Sequence, residues 1–187
     1  MAEYTLISEP PLAGYDRDFG PVNLSAPKDL AVVSVALPLG GEAAAEKAVK
    51  ATYGVDLPEV GKTAEGKGVT LMRLGLDLAF AVFTHATPDA ERVVAKALKG
   101  KAYTTDQTDV WVALDLSGAG SRNALERICP LDLHDSGFAV GDAQRTVMEH
   151  LGVIIIRQGT DTWRLMSASS SAGTFLHAIE TSIKNAS

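Results

Sequence analysis

The chain has 187 residues, with 17 basic against 23 acidic side chains for a net charge of −6, 46% hydrophobic and 21% charged residues, and one cysteine. A chain of that length hides about 70% of its extended surface on folding, so it can build a core without staples. The composition excludes a disordered polymer, lone Cys129 excludes an internal disulfide framework and any multi-thiolate metal site, and the acidic balance argues against a nucleic-acid binder, which needs a basic stripe.

Residues 1–27 contain Pro10, Pro11, Pro21 and Pro27, which cannot join a helix or a central strand. The same stretch holds Tyr4, Leu6, Tyr15 and Phe19, more apolar surface than a disordered tail carries. It reads as an extended arm lying on its own domain or on another chain, with Tyr4, Leu6, Pro10, Pro11, Tyr15 and Phe19 as candidate contacts. Glu3 and Glu9 precede the first basic residue, Arg17, so a signal peptide's positive start is not seen. The longest apolar stretch, residues 30–39, is broken by Ser34 and Pro38 and falls well short of the ~20 residues a membrane span needs. The expectation is a soluble, cytoplasmic protein with neither membrane nor nucleic acid as a partner.

From residue 28 the periodicity becomes regular. Residues 32–37 read as a buried strand. Residues 42–53 read as a helix with a Glu46–Lys50 pair and a stop at Gly54. Residues 69–74 and 78–83 read as strands joined at Gly75, Leu76 and Asp77. Thr87 and Pro88 open a second helix, whose apolar stripe is Ala90, Val93, Val94, Ala97 and Leu98 and whose stop is Gly100. Its end carries the densest basic cluster, Lys96, Lys99 and Lys101, where the helix dipole favours cations.

The second half follows the same plan: a strand at 110–116, a helix at 121–128 stopped by Pro130, a buried strand around 153–156 and a paired strand at 163–167. A last helix carries Ala172, Phe175, Leu176, Ile179 and Ile183 on one face, with Ser169 or Ser170 as N-cap. This order predicts an α+β fold of two split β-α-β, ferredoxin-like units around one core, in halves 28–107 and 108–187. No repeat at the level of residues is evident.

The motifs that suggest chemistry are weak. Gly61, Lys62 and Thr63 end like a phosphate loop, but Asp56 stands where that loop needs glycine, and a solvated loop is expected instead. Gly118, Ala119 and Gly120 lie between a strand and a helix as a dinucleotide site requires, yet Asn123 occupies the third glycine position; a tight turn is expected. Cys129, with His134 or His150 as base, falls at a helix C-terminus, the wrong end of the dipole for a thiolate. The four histidines show no metal-ligand spacing. Asp132, His134 and Asp135, with Arg145 further on, form the one concentrated polar group of the second half. It could order its loop or meet a partner. No catalytic, cofactor-binding or metal-ligating residue is assigned.

The segment Ala124 to His134 with its Cys-Pro-Leu-Asp-Leu-His block, then Phe138, Gly141, the run from Gln144 to Arg157, Leu165-Met-Ser-Ala, and Phe175-Leu-His-Ala-Ile-Glu-Thr resembles the gamma subunit of bacterial heterotetrameric sarcosine oxidase. The likeness covers residues 108–184; residues 1–107 match in layout alone. Ser169 and Gly173 stand where arginine and lysine are expected. The resemblance implies a fold like the folate-binding domains of aminomethyltransferases and membership of an αβγδ complex. That complex would demethylate sarcosine oxidatively to glycine, giving hydrogen peroxide and formaldehyde or methylene-tetrahydrofolate. It implies FAD, FMN, NAD, zinc and tetrahydrofolate in the other subunits, and a non-catalytic gamma chain docked mainly on alpha, with beta and delta in the same assembly. The alternatives are a free-standing folate-binding one-carbon transfer protein and a small homodimeric binding module. A mean hydropathy of +0.09 suits a surface partly covered by a partner.

Overall fold

The computed structural model describes residues 9–186, so Tyr4 and Leu6 lie outside the described residues. The central strands alternate between two apolar faces, and that alternation sets the layering. In β3 (Leu30–Ala36), Ala31, Val33 and Val35 pack on α1 (Glu42–Tyr53) and α2 (Ala90–Leu98), while Val32 points the other way. In β10 (Leu151–Gly159), Val153 and Ile155 pack toward α3 (Ser121–Glu126) and α4 (Ala172–Ala186), while Ile154 and Ile156 meet Val32, Met72, Phe80 and Val82 from the first half. Both faces of each central strand are thus buried, which is why these strands read as continuous apolar runs. The layers run helices, sheet, sheet, helices, and each buried Val or Ile contributes about 1.5–3 kcal/mol by leaving water.

One sheet has the order β4 (Lys62–Gly66), β5 (Val69–Arg73), β6 (Leu78–Thr84), β3, β7 (Tyr103–Asp106). The other runs β9 (Ala143–Met148), β10, β11 (Thr162–Ala168), β8 (Trp111–Ser117), β2 (Asn23–Ser25), β1 (Asp16–Asp18). All the described pairings are antiparallel. In the first sheet β6, α2 and β7 form a β-α-β unit split by β3. In the second, the slot beside β8 that a strand after α4 would fill is taken by β2, from the N-terminus.

The arm therefore completes a sheet of its own chain. A proline-rich stretch was expected to stay out of any inner strand position, yet β2 lies between β1 and β8. The reason is local: Pro10, Pro11, Pro21 and Pro27 all fall outside the paired residues 16–18 and 23–25, so no ladder donor is lost.

The halves also share one short motif at the same place in the fold, which the sequence reading missed. Arg73-Leu-Gly-Leu-Asp77 and Arg157-Gln-Gly-Thr-Asp161 occupy the same β-turn-β corner. Gly61 N–H donates to the Arg73 carbonyl, and Gly141 N–H to that of Arg157, both at 2.8 Å. The repeat meets itself at a bridge between Lys62 and Asp142: Thr63 N–H donates to Gly141 at 2.7 Å and Ala143 N–H to Gly61 at 2.9 Å. Lys62, expected in a solvated loop, thus belongs to strand β4 and pairs with the Asp142 carboxylate.

Other local expectations shift. β4, β7 and β9 are additional strands, too polar on their open faces to show an apolar pattern. α2 starts at Ala90 after Asp89, leaving Pro88 in the preceding turn, and Val93 faces solvent. Lys50 pairs with Asp56 at 2.9 Å, and Glu46 lies 3.9 Å from Arg73. Ser169 and Ser170 form a 3-10 turn before α4 without capping it; the Ser169 hydroxyl donates to the Asp109 carbonyl instead.

Candidate functional site

The most concentrated polar constellation lies at the end of β10, where a charged side chain sits on an otherwise apolar strand. Arg157 is 3% exposed, and its guanidinium donates to the Phe138 carbonyl and the Asp135 carboxylate at 2.6 Å each, to Thr160 at 2.9 Å and to Gly159 at 3.3 Å. It also stacks 4.9 Å over Trp163, whose indole N–H donates to Ser121 at the start of α3. The planar fork suits a task in which one group must span several carbonyls. The hydrogen bond and charge of Arg157, with Arg122 nearby, hold the Asp135 carboxyl below its usual range. Around the pair opens a polar cleft of about 450 Å³ lined by Arg122, Asn123, Glu126, Asp135, Arg157 and Asp161.

Sequence reasoning grouped Asp132, His134 and Asp135 with Arg145; the structure supplies Arg157 instead. Arg145 lies on β9 with its guanidinium 6.0 Å over the Trp111 ring. His134 sits in the loop, its N–H donating to Asp132 at 3.0 Å and its Nδ1 2.9 Å from the Ser136 hydroxyl. These contacts order residues 132–142 internally. The signal that could have found Arg157 is the repeated Arg-x-Gly-x-Asp. Cys129 is buried in the second-half core, and burial pushes its thiol pKa up, so it is poorly suited to attack.

A second constellation fixes the arm. Gly118 has φ +110°, and a Cβ there would stand 2.4 Å from the Pro21 carbonyl oxygen. Gly120 N–H donates to that same oxygen at 3.1 Å, and a Cβ on Gly120 would meet Val22 at 2.9 Å. The Gly-Ala-Gly turn is thus the seat of the N-terminal hairpin. On the helix side the Tyr15 hydroxyl donates to Glu180 at 2.5 Å, Lys184 pairs with Glu180 at 2.9 Å and Arg17 with it at 3.2 Å. Leu12, Tyr15 and Phe19 pack on the second-half core, whereas Pro10 and Pro11 are exposed.

The Tyr15 hydrogen bond, then Lys184, holds the Glu180 carboxyl below its ordinary value, while burial and Glu180 push the Tyr15 phenol up. A lowered carboxyl pKa stabilises the fold above the usual glutamate range and loses that contribution as pH falls through the lowered value. Replacing Glu180 by Ala is expected to cost about 1–2 kcal/mol at pH 7. In urea titrations the gap from wild type should shrink as pH falls below the reference glutamate pKa. A gap that does not change with pH would remove Glu180 as the clasp.

The match to known proteins is to the family described as "Sarcosine oxidase, gamma subunit family", over residues 40–184. The chain belongs to that family. Membership extends well upstream of residues 108–184, where the residue-level resemblance was legible. A sarcosine oxidase gamma subunit from an Arthrobacter species is 31% identical over 66% of this chain and 62% of its own length. Another, from Corynebacterium sp. strain P-1, is 30% identical over 70% and 64%. The matched region spans a little under two thirds of those relatives.

Among solved structures, a chain of the heterotetrameric sarcosine oxidase of Corynebacterium sp. U-96 superposes with a TM-score of 0.76 at 24% identity, over 88% of this chain and 84% of that one. The aminomethyltransferase T of the Bartonella henselae glycine cleavage system superposes with 0.62 at 15% identity, over 83% of this chain and 44% of that one. This gamma-family chain therefore has the α+β fold also found in aminomethyltransferases. Gly173, where relatives were expected to carry lysine, is exposed with open space around its missing Cβ. Among the described residues no helix is long and apolar enough to cross a membrane, and no group of three His, Cys, Asp or Glu is placed to hold a metal ion.

Proposed function

We propose that this chain is a non-catalytic gamma subunit of a cytoplasmic heterotetrameric sarcosine oxidase, docking mainly on the large alpha subunit with beta and delta in the same assembly. The observation that carries the reading is the family match over residues 40–184. In this proposal the complex converts sarcosine to glycine with hydrogen peroxide and formaldehyde or methylene-tetrahydrofolate, and FAD, FMN, NAD, zinc and tetrahydrofolate reside in the other subunits. In support, this chain's Arg157 guanidinium at the polar cleft is engaged by the carbonyls of Phe138, Gly159 and Thr160 and by Asp135. Its role is shape, and the arm and the His134 loop are ordered surfaces it can present.

Co-expression with its presumed large subunits should yield one co-eluting complex with sarcosine oxidase activity. An active flavoenzyme assembled without this chain, or this chain turning over sarcosine alone, would reject the reading. The aminomethyltransferase likeness keeps one alternative, a free-standing folate-binding one-carbon transfer protein. Micromolar binding of tetrahydrofolate to the isolated chain, read by calorimetry, would favour it.

A further inference from the structure

The internal repeat shows where the two halves were put to different use. Leu37 N–H donates to the Asp77 carbonyl at 2.8 Å, as Gly118 N–H does to Asp161 at 3.0 Å, so the end of β3 corresponds to the end of β8. Gly41 accepts from Ala45 at 3.1 Å, as Gly120 does from Ala124, so the starts of α1 and α3 correspond as well. Between those marks the second half has one residue, Ala119, and the first half has three, Pro38, Leu39 and Gly40: an extension of two. Leu39 lies in that extension and is 101% exposed. On the neighbouring turn Leu76, 83% exposed, takes the place that Thr160 has in the second half.

Both loops are tied down. The Arg73 guanidinium donates to the carbonyls of Leu76 at 2.6 Å and Gly75 at 3.3 Å, which clamps the turn beneath Leu76. Gly40 N–H donates to the Glu42 carboxylate at 3.0 Å, which fixes the loop that carries Leu39. Two large apolar side chains held out on adjacent rigid loop tips lower the ordering cost of binding. Carboxylates accompany them: Glu42, which holds the Leu39 loop, Asp77, next to Leu76 in the turn, and Glu46, 3.9 Å from the Arg73 guanidinium, which is itself turned inward onto its carbonyls.

We propose that Leu39 and Leu76 form a docking knuckle that seats in an apolar socket with a basic rim on the large partner subunit. The inference rests on the subunit role proposed above and deepens it by naming the contact. Its occupant is set by charge complementarity: an apolar projection accompanied by carboxylates fits a lysine- or arginine-ringed cavity and is repelled by acidic surfaces.

The test is the amount of partner retained when the full-length chain, tagged and co-expressed with the large subunits, is purified. Leu39→Ser with Leu76→Ser should melt as wild type does and retain at least tenfold less partner. Glu42→Lys with Asp77→Lys should also weaken retention, and more so at low salt than at high salt. Undiminished retention by the leucine double variant would overturn the knuckle while leaving the subunit role intact. A wild-type chain that retains no partner would defeat the subunit role itself, and the knuckle with it. A wild-type homodimer that the double variant splits would assign the surface to a second copy of this chain and overturn the proposal too.

Discussion

Arg157→Ala is expected to destabilise the chain by about 3 kcal/mol, a large share of the stability of a domain this size. The cost has two sources. Removing the guanidinium strands the buried Phe138 carbonyl and frees Asp135, so residues 132–142 lose their anchor. It also empties the space over Trp163, one of the largest fully buried side chains. Lysine should not rescue it, because a single ammonium cannot span acceptors arranged around a planar fork. Arg73 provides an internal control. It clamps the equivalent turn but is 17% exposed, and its carboxylate partner lies 3.9 Å away, so Arg73→Ala should cost only about 1 kcal/mol. Urea midpoints of the two variants decide the matter; equal losses would show that burial of the second arginine adds nothing.

Gly118→Ala is the second large effect, expected at about 3 kcal/mol. The new methyl would meet the Pro21 carbonyl oxygen at 2.4 Å, and φ +110° is a backbone state that L side chains rarely adopt. Relief requires β2 to move off β8, which opens the upper edge of the second-half core over Val22 and Leu24. The variant should therefore lose melting temperature and gain protease cleavage within residues 9–22. Gly173→Ala is the contrast: it lies in α4 with nothing within 4 Å of the added atom, and should gain up to about 1 kcal/mol from helix propensity. A Gly118→Ala chain that keeps wild-type melting and protease resistance would mean that the hairpin does not need its seat.

The arm and the second-half loop show how much of the site could be read from residues. Tyr15 and Phe19 stood out as contact-forming because apolar side chains in a proline-rich stretch need a surface to cover. Which surface was open, because a stretch of that composition suits its own domain or a neighbour equally well. The structure gives the own-domain answer for the described part, through strand pairing that no local pattern encodes. His134 lies in a loop as the residues suggested, but Arg145 was the arginine grouped with it, and Arg157, inside an apolar strand, was not singled out. Its role depends on Phe138, Asp135 and Thr160 converging on it from other segments.

By itself the sequence determined the class and the family. Buried strands announce themselves as apolar runs, helices by their stripes and stops, and the family by its Cys-Pro-Leu-Asp-Leu-His block, since each of these signals is local in the chain. Only the tertiary structure decided that β2 completes the second sheet, that Arg73 and Arg157 are equivalent clamps, and that the tight turn expected at Gly118 and Gly120 is the seat of the N-terminal hairpin. Those facts depend on donors and acceptors far apart in the chain, such as the backbone pair of Pro21 and Gly120 or the side-chain pair of Tyr15 and Glu180. A hydrogen bond between distant segments leaves no periodicity behind, so folding has to bring them together before the pairing exists.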